Sequence, residues 1–403
     1  MRLHKNLVFA TVDAVSEIFN EQVYADKVVA KVLKRDKRWG AKDRAFIAQT
    51  TYDIVRWMRL YAEIAEIKDH YTRENLYKVF AVWLVLKGIP IPDWKQFEGT
   101  PTRKIKGRFD TYSKQRVLRE SIPDWMDALA VAELGEAFWT KEIQSQNQTA
   151  PVVLRVNTLK ASVSQVKEAL AKEDIYTKTI KNYPEALELL ERAAVFRTEA
   201  FKKGFFEVQD ASSQTVAHLL DIQPGMRIVD TCAGAGGKTL HLAALSKNKG
   251  QIIAMDIRSN KLNDLKKRAR RAGAFNIETR QISGTKDIKK LYQKADRVLI
   301  DAPCSGLGVL RRNPDAKWKL KPEFIENIKQ TQLQILKSYS KMLKSGGKLV
   351  YATCSILPSE NEEQLKAFLE TEEGKDFEFI KHDKIFAHQS GYDGFYRALL
   401  EKK

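Results

Sequence analysis

Met226-Arg-Ile-Val-Asp-Thr-Cys-Ala-Gly-Ala-Gly-Gly-Lys-Thr239 is the stretch that decides the fold. Met226 to Val229 predicts a short strand ending at Asp230, and the glycine-rich turn beyond it runs into a helix over Lys238 to Leu245. The alternation continues downstream. Gln251 to Met255 predicts a strand ending at Asp256, Lys261 to Arg271 a very basic helix, and Arg297 to Ile300 a strand ending at Asp301. Thr331 to Leu343 then predicts a helix and Lys348 to Tyr351 a strand. Strands alternating with helices at this spacing predict a Rossmann-like α/β domain, a mostly parallel, doubly wound sheet with helices on both faces. In such a sheet ligands collect at the carboxyl ends of the strands. Asp230, Asp256 and Asp301 each follow a predicted strand, as do all three cysteines, Cys232, Cys304 and Cys354. These side chains are expected to share one rim.

Outward from this core the chain reads as three regions: 1–142, 143–204 and 205–403. The first is helix-patterned, with Phe46, Ile47, Ile54, Val55, Met58, Tyr61 and Ala62 at three-four spacing and similar runs at Tyr77 to Leu86 and Trp125 to Leu134. Between the last two lies a basic segment, Pro101 to Arg119, expected as a loop. A second basic cluster, Lys34 to Arg44, contains Trp39. The polar stretch Gln144 to Ala150 reads as a linker. Beyond it, Val152 to Val156 as a strand and Ser164 to Leu170 as a helix open a small α/β module.

In 403 residues, 69 Lys+Arg against 51 Asp+Glu give a net charge of +18, and this surplus points to a polyanionic partner, most simply nucleic acid. The length suits two or three domains. The longest apolar stretch, Val79 to Leu86, is far below the roughly 20 residues a membrane helix needs. Asp13 and Glu17 interrupt the apolar segment near the start, so no secretory signal is expected. Three cysteines do not make a disulfide scaffold, and reduced thiols in a cytoplasmic protein are expected. A monomer is the default.

The glycine turn lets backbone approach a ligand closely, and the helix after it presents free N–H groups. It is not a triphosphate loop, because Cys232 stands where G-x-x-x-x-G-K-[ST] needs its first glycine. Nor is it the dinucleotide fingerprint, because Thr239 stands at the third glycine. Asp256, at the end of the next strand, suits ribose hydroxyls. Together these fit an adenosyl ligand without a phosphate chain, S-adenosylmethionine. No Cys-x-x-Cys or nearby histidine completes a metal set around the cysteines, so no metal is expected.

Asp301-Ala-Pro-Cys304 and Thr353-Cys354-Ser355 place two thiols after neighbouring strands. Buried small hydrophobes are the usual fate of single cysteines, but chemistry supplies a use for a pair. Carbon 5 of a pyrimidine is a poor nucleophile toward a methyl sulfonium. A thiolate added at carbon 6 makes carbon 5 enamine-like, and splits one hard step into easier ones. Lys238 or a helix N-terminus would lower the thiol pKa.

The strings Asp210-Ala-Ser-Ser-Gln214, Asp230 to Thr239, Asp301 to Cys304, Arg311-Arg-Asn-Pro-Asp315, Thr353-Cys-Ser355 and Asp393-Gly-Phe395 resemble the RsmB/Nop/Sun family of RNA cytosine-5 methyltransferases. The resemblance runs in order from about Ser121 to the C-terminus, and implies a class I methyltransferase domain. It implies Cys354 as the nucleophile, Cys304 as the group assisting proton removal and release, and Asp301 at the cytosine edge near the cofactor. It also implies that Cys232, Ala233, Gly234, Ala235, Gly236, Gly237 and Lys238 bind S-adenosylmethionine with Asp256 on the ribose. Asn157, in Arg155-Val-Asn-Thr158, is similar to the family's RNA-facing module. The helical region is similar to the NusB-like domain of the ribosomal RNA members, which implies ribosomal RNA as partner, with transfer RNA the alternative. Arg311 and Arg312 are expected in the RNA channel, whereas Lys261 to Arg271 read as a solvated helix back. Trp318 reads as core or, less commonly for an aromatic in a helical context, as a stacking partner for a base.

Two departures stand out. Gly234 and Ala235 replace the Ala-Pro of the family's turn, which should loosen it. Gln281-Ile-Ser-Gly284 lacks the acid expected against adenine, leaving Ser283 as a weak substitute. The competing readings are a catalytically silent RNA-binding assembly factor, suggested by that missing acid, and a nucleotide triphosphatase, suggested by Gly237-Lys238-Thr239.

Overall fold

A computed structural model describes residues 3–67 and 70–403. The chain forms two compact units, residues 1–148 with 310–322, and residues 149–309 with 323–403. Among the described residues no helix is long and apolar enough to cross a membrane.

The first unit is helical. Lys5–Asn20, Ala41–Arg56 and Arg73–Leu86 pack around Val8, Val15, Ile18, Ile47, Ile54, Val79, Phe80 and Leu84, all essentially inaccessible to solvent. The apolar run from Phe46 to Ala62 is two helices, Ala41–Arg56 and Met58–Ile64, broken at Trp57. The segment expected as a basic loop is helical too, Thr102–Tyr112 followed by Arg116–Arg119. Ile105 is the one buried residue of Thr102–Tyr112, too thin an apolar stripe to register as a helical period. Several of its charges are spent internally: Arg108 pairs with Glu66 at 2.6 Å, and Arg116 with Asp127 at 2.9 Å and Glu136 at 2.6 Å. Arg103, Lys104 and Lys106 remain exposed. Of the stretch expected as a linker, 144–146 end another helix, Glu136–Gln146, while 147–150 are irregular and hold the boundary between the two units.

Residues 310–322 complete this unit although the sequence sets them inside the sheet domain. Arg311, expected to face RNA, is buried, its guanidinium donating to the Ser145 carbonyl at 2.9 Å and hydroxyl at 3.1 Å. Arg312 beside it is partly buried. Lys317 is also buried, its ammonium donating to the Arg56 carbonyl at 2.8 Å and Asn147 Oδ1 at 3.2 Å; burial holds its pKa well down. Trp318 is partly buried against the core, its Nε1 donating to the Val55 carbonyl at 2.8 Å and its ring beside Phe19.

The second unit holds two sheets. The smaller comprises β1 (Val153–Val156), β2 (Thr177–Ile180), β3 (Tyr183–Leu189) and β4 (Phe206–Val208), antiparallel in the order β2-β3-β1-β4. Its core is Leu154, Val156, Leu187 and Phe206 against Val166 and Leu170 of the helix Val163–Ala171. Asn157 does not face outward as expected. It is buried, its amide donating to the carbonyls of Gly204 at 2.8 Å and Ala272 at 2.7 Å. It ties this module to the end of the helix Ser259–Ala272.

The larger sheet comprises β5 (Arg227–Asp230), β6 (Gln251–Asp256), β7 (Ile277–Gln281), β8 (Ala295–Asp301), β9 (Leu343–Thr353), β10 (Phe377–Ile385) and β11 (Phe395–Lys402), in the order β10-β11-β9-β8-β5-β6-β7. Strands β7-β6-β5-β8-β9 are parallel, and β11 alone runs against its neighbours. The order reverses at β5, from which the chain first winds out through β6 and β7 and then returns to β8 on the other side. That reversal opens the crevice where ligands bind in doubly wound sheets.

The burial of Arg311 generates a test. Arg311→Ala should destabilise the protein by about 2–4 kcal/mol in denaturant unfolding, because it strips buried acceptors of a charged donor. It should leave unchanged the salt dependence of binding to the nucleic acid expected from the sequence, whereas loss of a phosphate contact would reduce that slope by about 1.

Candidate active site

The parallel pairing of β8 with β9 sets Asp301 opposite Ala352, so the loops leaving both strands start side by side. Cys304 lies three residues beyond β8 and Cys354 one beyond β9. Their sulfurs stand 3.4 Å apart, both half-buried and both free thiols. Close backbone packing keeps them there. Gly308 N–H donates to the Cys354 carbonyl at 2.9 Å, and Gly394 N–H to the Gly308 carbonyl at 2.7 Å. A Cβ on Gly308 would lie 2.3 Å from the Gly394 oxygen and 2.7 Å from that of Cys354, which leaves room for hydrogen alone. Contact with the Cys354 sulfur, then burial, pushes the Cys304 thiol well above its ordinary pKa.

Asp301 meets Lys238 across the crevice, Nζ to Oδ2 at 2.7 Å, and the ammonium lies 4.8 Å from the centre of the Phe395 ring. Lys238 is thus engaged with the acid, and lowering of a thiol pKa is not what its contacts serve. Asp230, in the floor of the crevice, is buried and accepts the Thr239 hydroxyl at 2.7 Å. Burial raises its carboxyl to about 7. Cys232 is half-buried, and burial pushes its thiol up.

The glycine turn is braced from three sides. Gly234 N–H donates to Asp256 Oδ2 at 2.8 Å, and Arg258 N–H to Oδ1 at 2.7 Å. Arg268 donates to the Ala235 carbonyl at 2.8 Å while pairing with Glu207 at 3.0 Å. Arg155, buried on β1, donates to the Gly237 carbonyl at 2.5 Å, and burial lowers its pKa to about 10. These bonds oppose the loosening expected from the lost proline. Gly236 sits at φ 87°, and a Cβ there would meet Leu265 at 2.5 Å, so the tight bend needs glycine. Gly234, at φ 54°, faces open space instead, the room a ligand would fill. Ala233 is buried beneath the turn, and Ala235 and Gly237 are partly exposed on it.

These residues fit S-adenosylmethionine. The turn and the first N–H groups of the helix Gly237–Leu245 would face its amino-acid end, and Asp256 retains lone pairs for the ribose. Ile257, directly after Asp256 and 64% exposed, offers an apolar surface for a flat ring. Ser283 is exposed, and its N–H donates to Asp287 Oδ2 at 3.0 Å, a bond that holds the Asp287 carboxyl below its ordinary range. Asp287 thus places a carboxylate beside Ser283, where it bonds the backbone and Lys290. Reading the motif position by position missed it because a half-turn of chain intervenes.

Arg268 and Arg271 of the basic helix are not solvated as expected, since both pair with Glu207; Lys266, Lys267 and Arg270 are exposed. Among the described residues Glu185, His218 and His241 gather possible metal-ligating atoms within 4.8 Å. His218 already bonds Glu185 at 2.8 Å, and burial, then the Arg155 charge, disfavours positive charge at His241.

A parallel sheet with one reversed strand, a glycine turn at the switch point and an acid after the next strand define a class I methyltransferase domain. Comparison with known proteins narrows this. The model of the family described as 16S rRNA methyltransferase RsmB/F matches residues 217–401, and that of its ferredoxin-like domain matches 122–196. A probable ribosomal RNA small subunit methyltransferase B from Synechocystis sp. is 36% identical over 298 residues, 70% of this chain and 67% of its own. The ribosomal RNA small subunit methyltransferase B of Yersinia pseudotuberculosis is 37% identical over 288 residues, 70% of this chain and 66% of its own. The crystal structure of PH0851 superposes with a TM-score of 0.83 at 26% identity, covering 100% of both chains. The chain belongs to the RsmB/F methyltransferase family, and its match spans about two thirds of the length of these bacterial relatives.

Asp230 generates a pH prediction. Its carboxyl ionises near its ordinary 3.8 when unfolded but at about 7 when folded. The folded state therefore holds the proton longer, and stability should fall as pH rises from about 4 to about 7, then level off. Asp230→Asn should flatten that slope in thermal melts taken across this range.

Proposed function

We propose that the protein is an S-adenosylmethionine-dependent RNA (cytosine-5)-methyltransferase acting on ribosomal RNA. The observation that carries this reading is the 3.4 Å approach of two free thiols beside the Asp301–Lys238 pair and the glycine turn. One thiol suffices to add to a pyrimidine. A second beside it suits the release step, when a proton must leave carbon 5 and the first sulfur must depart.

The Cys354 sulfur, as thiolate, adds to carbon 6 and makes carbon 5 nucleophilic. Asp301 Oδ1 meets the exocyclic amine of the cytosine while Lys238 holds Oδ2. When bound, S-adenosylmethionine supplies the electrophilic methyl that carbon 5 takes. The carbon 5 proton then passes to water, and the double bond re-forms as the Cys354 thiolate leaves. Cys304 assists by keeping its own proton, which it donates as a hydrogen bond to the departing sulfur. The target base must be single-stranded or flipped out, at a cost of a few kcal/mol. Exposed Arg103, Lys104 and Lys106 supply phosphate contacts that offset it. The names of the bacterial relatives and the net charge of +18 support ribosomal RNA. The silent-factor reading rests on the acid missing near Ser283, and calorimetry with S-adenosylmethionine discriminates it, since a silent factor need not bind the cofactor.

Cys354→Ala should abolish methyl transfer without trapping RNA. Cys304→Ala should accumulate protein covalently joined to RNA, seen as a shifted band on denaturing gels. A trapped band from the Cys354 variant and none from the Cys304 variant would reverse the two roles. Bisulfite mapping of cellular RNA with and without the protein tests the substrate, and a change confined to transfer RNA would overturn the ribosomal assignment.

A further inference from the structure

Glu360 closes the short turn Pro358–Glu360 after β9 and is wholly buried. No ion pair reaches it among the described residues. A carboxylate in that position costs several kcal/mol unless hydrogen bonds offset the lost hydration. Four donors converge on it. Oε2 accepts the Ser305 N–H at 2.8 Å and Gln332 Nε2 at 3.1 Å, and Oε1 accepts the hydroxyls of Ser355, at 2.5 Å, and Ser305. Ser305 directly follows Cys304, and Ser355 directly follows Cys354. Gln332 also donates to the Pro303 carbonyl at 2.9 Å, on the other side of Cys304. The Glu360 carbonyl accepts the Tyr351 hydroxyl from within β9 at 2.8 Å. Its neighbour Asn361 accepts from Thr353 at 2.6 Å and donates to the Ser355 carbonyl at 3.0 Å, on both sides of Cys354.

We propose that Glu360 is a positioning residue for the thiol pair, its buried carboxylate anchoring the residue after each cysteine while its charge sets the two sulfurs unequal roles. This rests on the two-thiol reading above. An apolar side chain could fill the space but could not accept four bonds, and a neutral amide would turn a donor group toward donors already there. Besides Cys354 and burial, the negative charge of Glu360 helps to hold the proton on Cys304. Cys304 is thereby kept from competing as nucleophile, and Cys354 attacks.

Glu360→Gln tests this in the full-length protein. Methyl transfer is measured as kcat and KM for RNA, S-adenosylmethionine binding by calorimetry, and alkylation of each cysteine against pH by mass spectrometry. The expected result is a kcat lowered about 100-fold, because displacing reacting groups by about 1 Å costs that much. KM and cofactor affinity should change by less than about threefold. The midpoint for Cys304 alkylation should fall by about one pH unit. An unchanged alkylation profile, or a kcat within about threefold of the parent, would overturn the proposal. If the parent protein transfers no methyl group, the functional reading fails, while the alkylation profiles still decide on Glu360. Should Glu360→Gln not fold, Ser355→Ala removes one donor and keeps the carboxylate. A kcat lowered about tenfold with cofactor binding intact supports the anchor, and one within about twofold overturns it.

Discussion

The pairing of Asp301 with Ala352 across β8 and β9 is the constraint on which the site depends. Parallel strands fix where their carboxyl ends lie relative to one another, and side chains alternate between faces with a period of two. A slip of one residue would turn every side chain of β9 to the other face of the sheet. The thiols sit on loops, which are ordinarily the mobile part of a sheet domain. Here the loops are short, start from adjacent strands, and approach so closely at Gly308 and Gly394 that a methyl group would not fit. The 3.4 Å contact is a product of this backbone packing, since a bare thiol pair has little attraction of its own.

The glycine-turn side of the crevice follows the same logic with different parts. A turn with three glycines would be floppy alone, because each glycine gives up more freedom on folding than any other residue. Arg155 from the smaller sheet and Arg268 from the basic helix hold its carbonyls, while Asp256 holds an N–H. Both arginines are tied to the acid–base network around Glu207, which compensates their desolvation. The module that precedes the methyltransferase sheet thus braces the glycine turn, and Asn157 and Arg155 act in that structure.

The surplus of positive charge divides into two populations. Arg56, Arg311 and Lys317 sit inside the helical unit on backbone carbonyls, where a guanidinium or ammonium satisfies several acceptors at once. Arg103, Lys104, Lys106, Lys266, Lys267 and Arg270 are exposed and keep their long-range field. Only the second group is available to a polyanion, so the net charge overstates the strength of any phosphate-binding face.

Strand–helix alternation and the acids and cysteines that punctuate it were legible along the chain, because hydrophobic period and turn chemistry are local properties. The rim residues could be named on that basis: Cys304, Cys354, Asp301, Asp256 and the turn from Cys232 to Lys238 all lie at strand ends by sequence order alone. Helix Thr102–Tyr112 escaped notice because it buries one side chain. The fates of Asn157, Arg311 and Arg268 were hidden for another reason. A polar residue has the same sequence signature whether it faces water or donates to a carbonyl 47, 166 or 33 positions away in the chain. Asp287 and Glu360 reach the rim from outside the motifs, through a helix start and a turn. Sequence order determines which groups stand at the ends of strands; the pairing of strands and the burial of charge decide which of those groups meet. Hydrogen-bond satisfaction in a dry interior is a property of three-dimensional neighbours, and no local pattern encodes it.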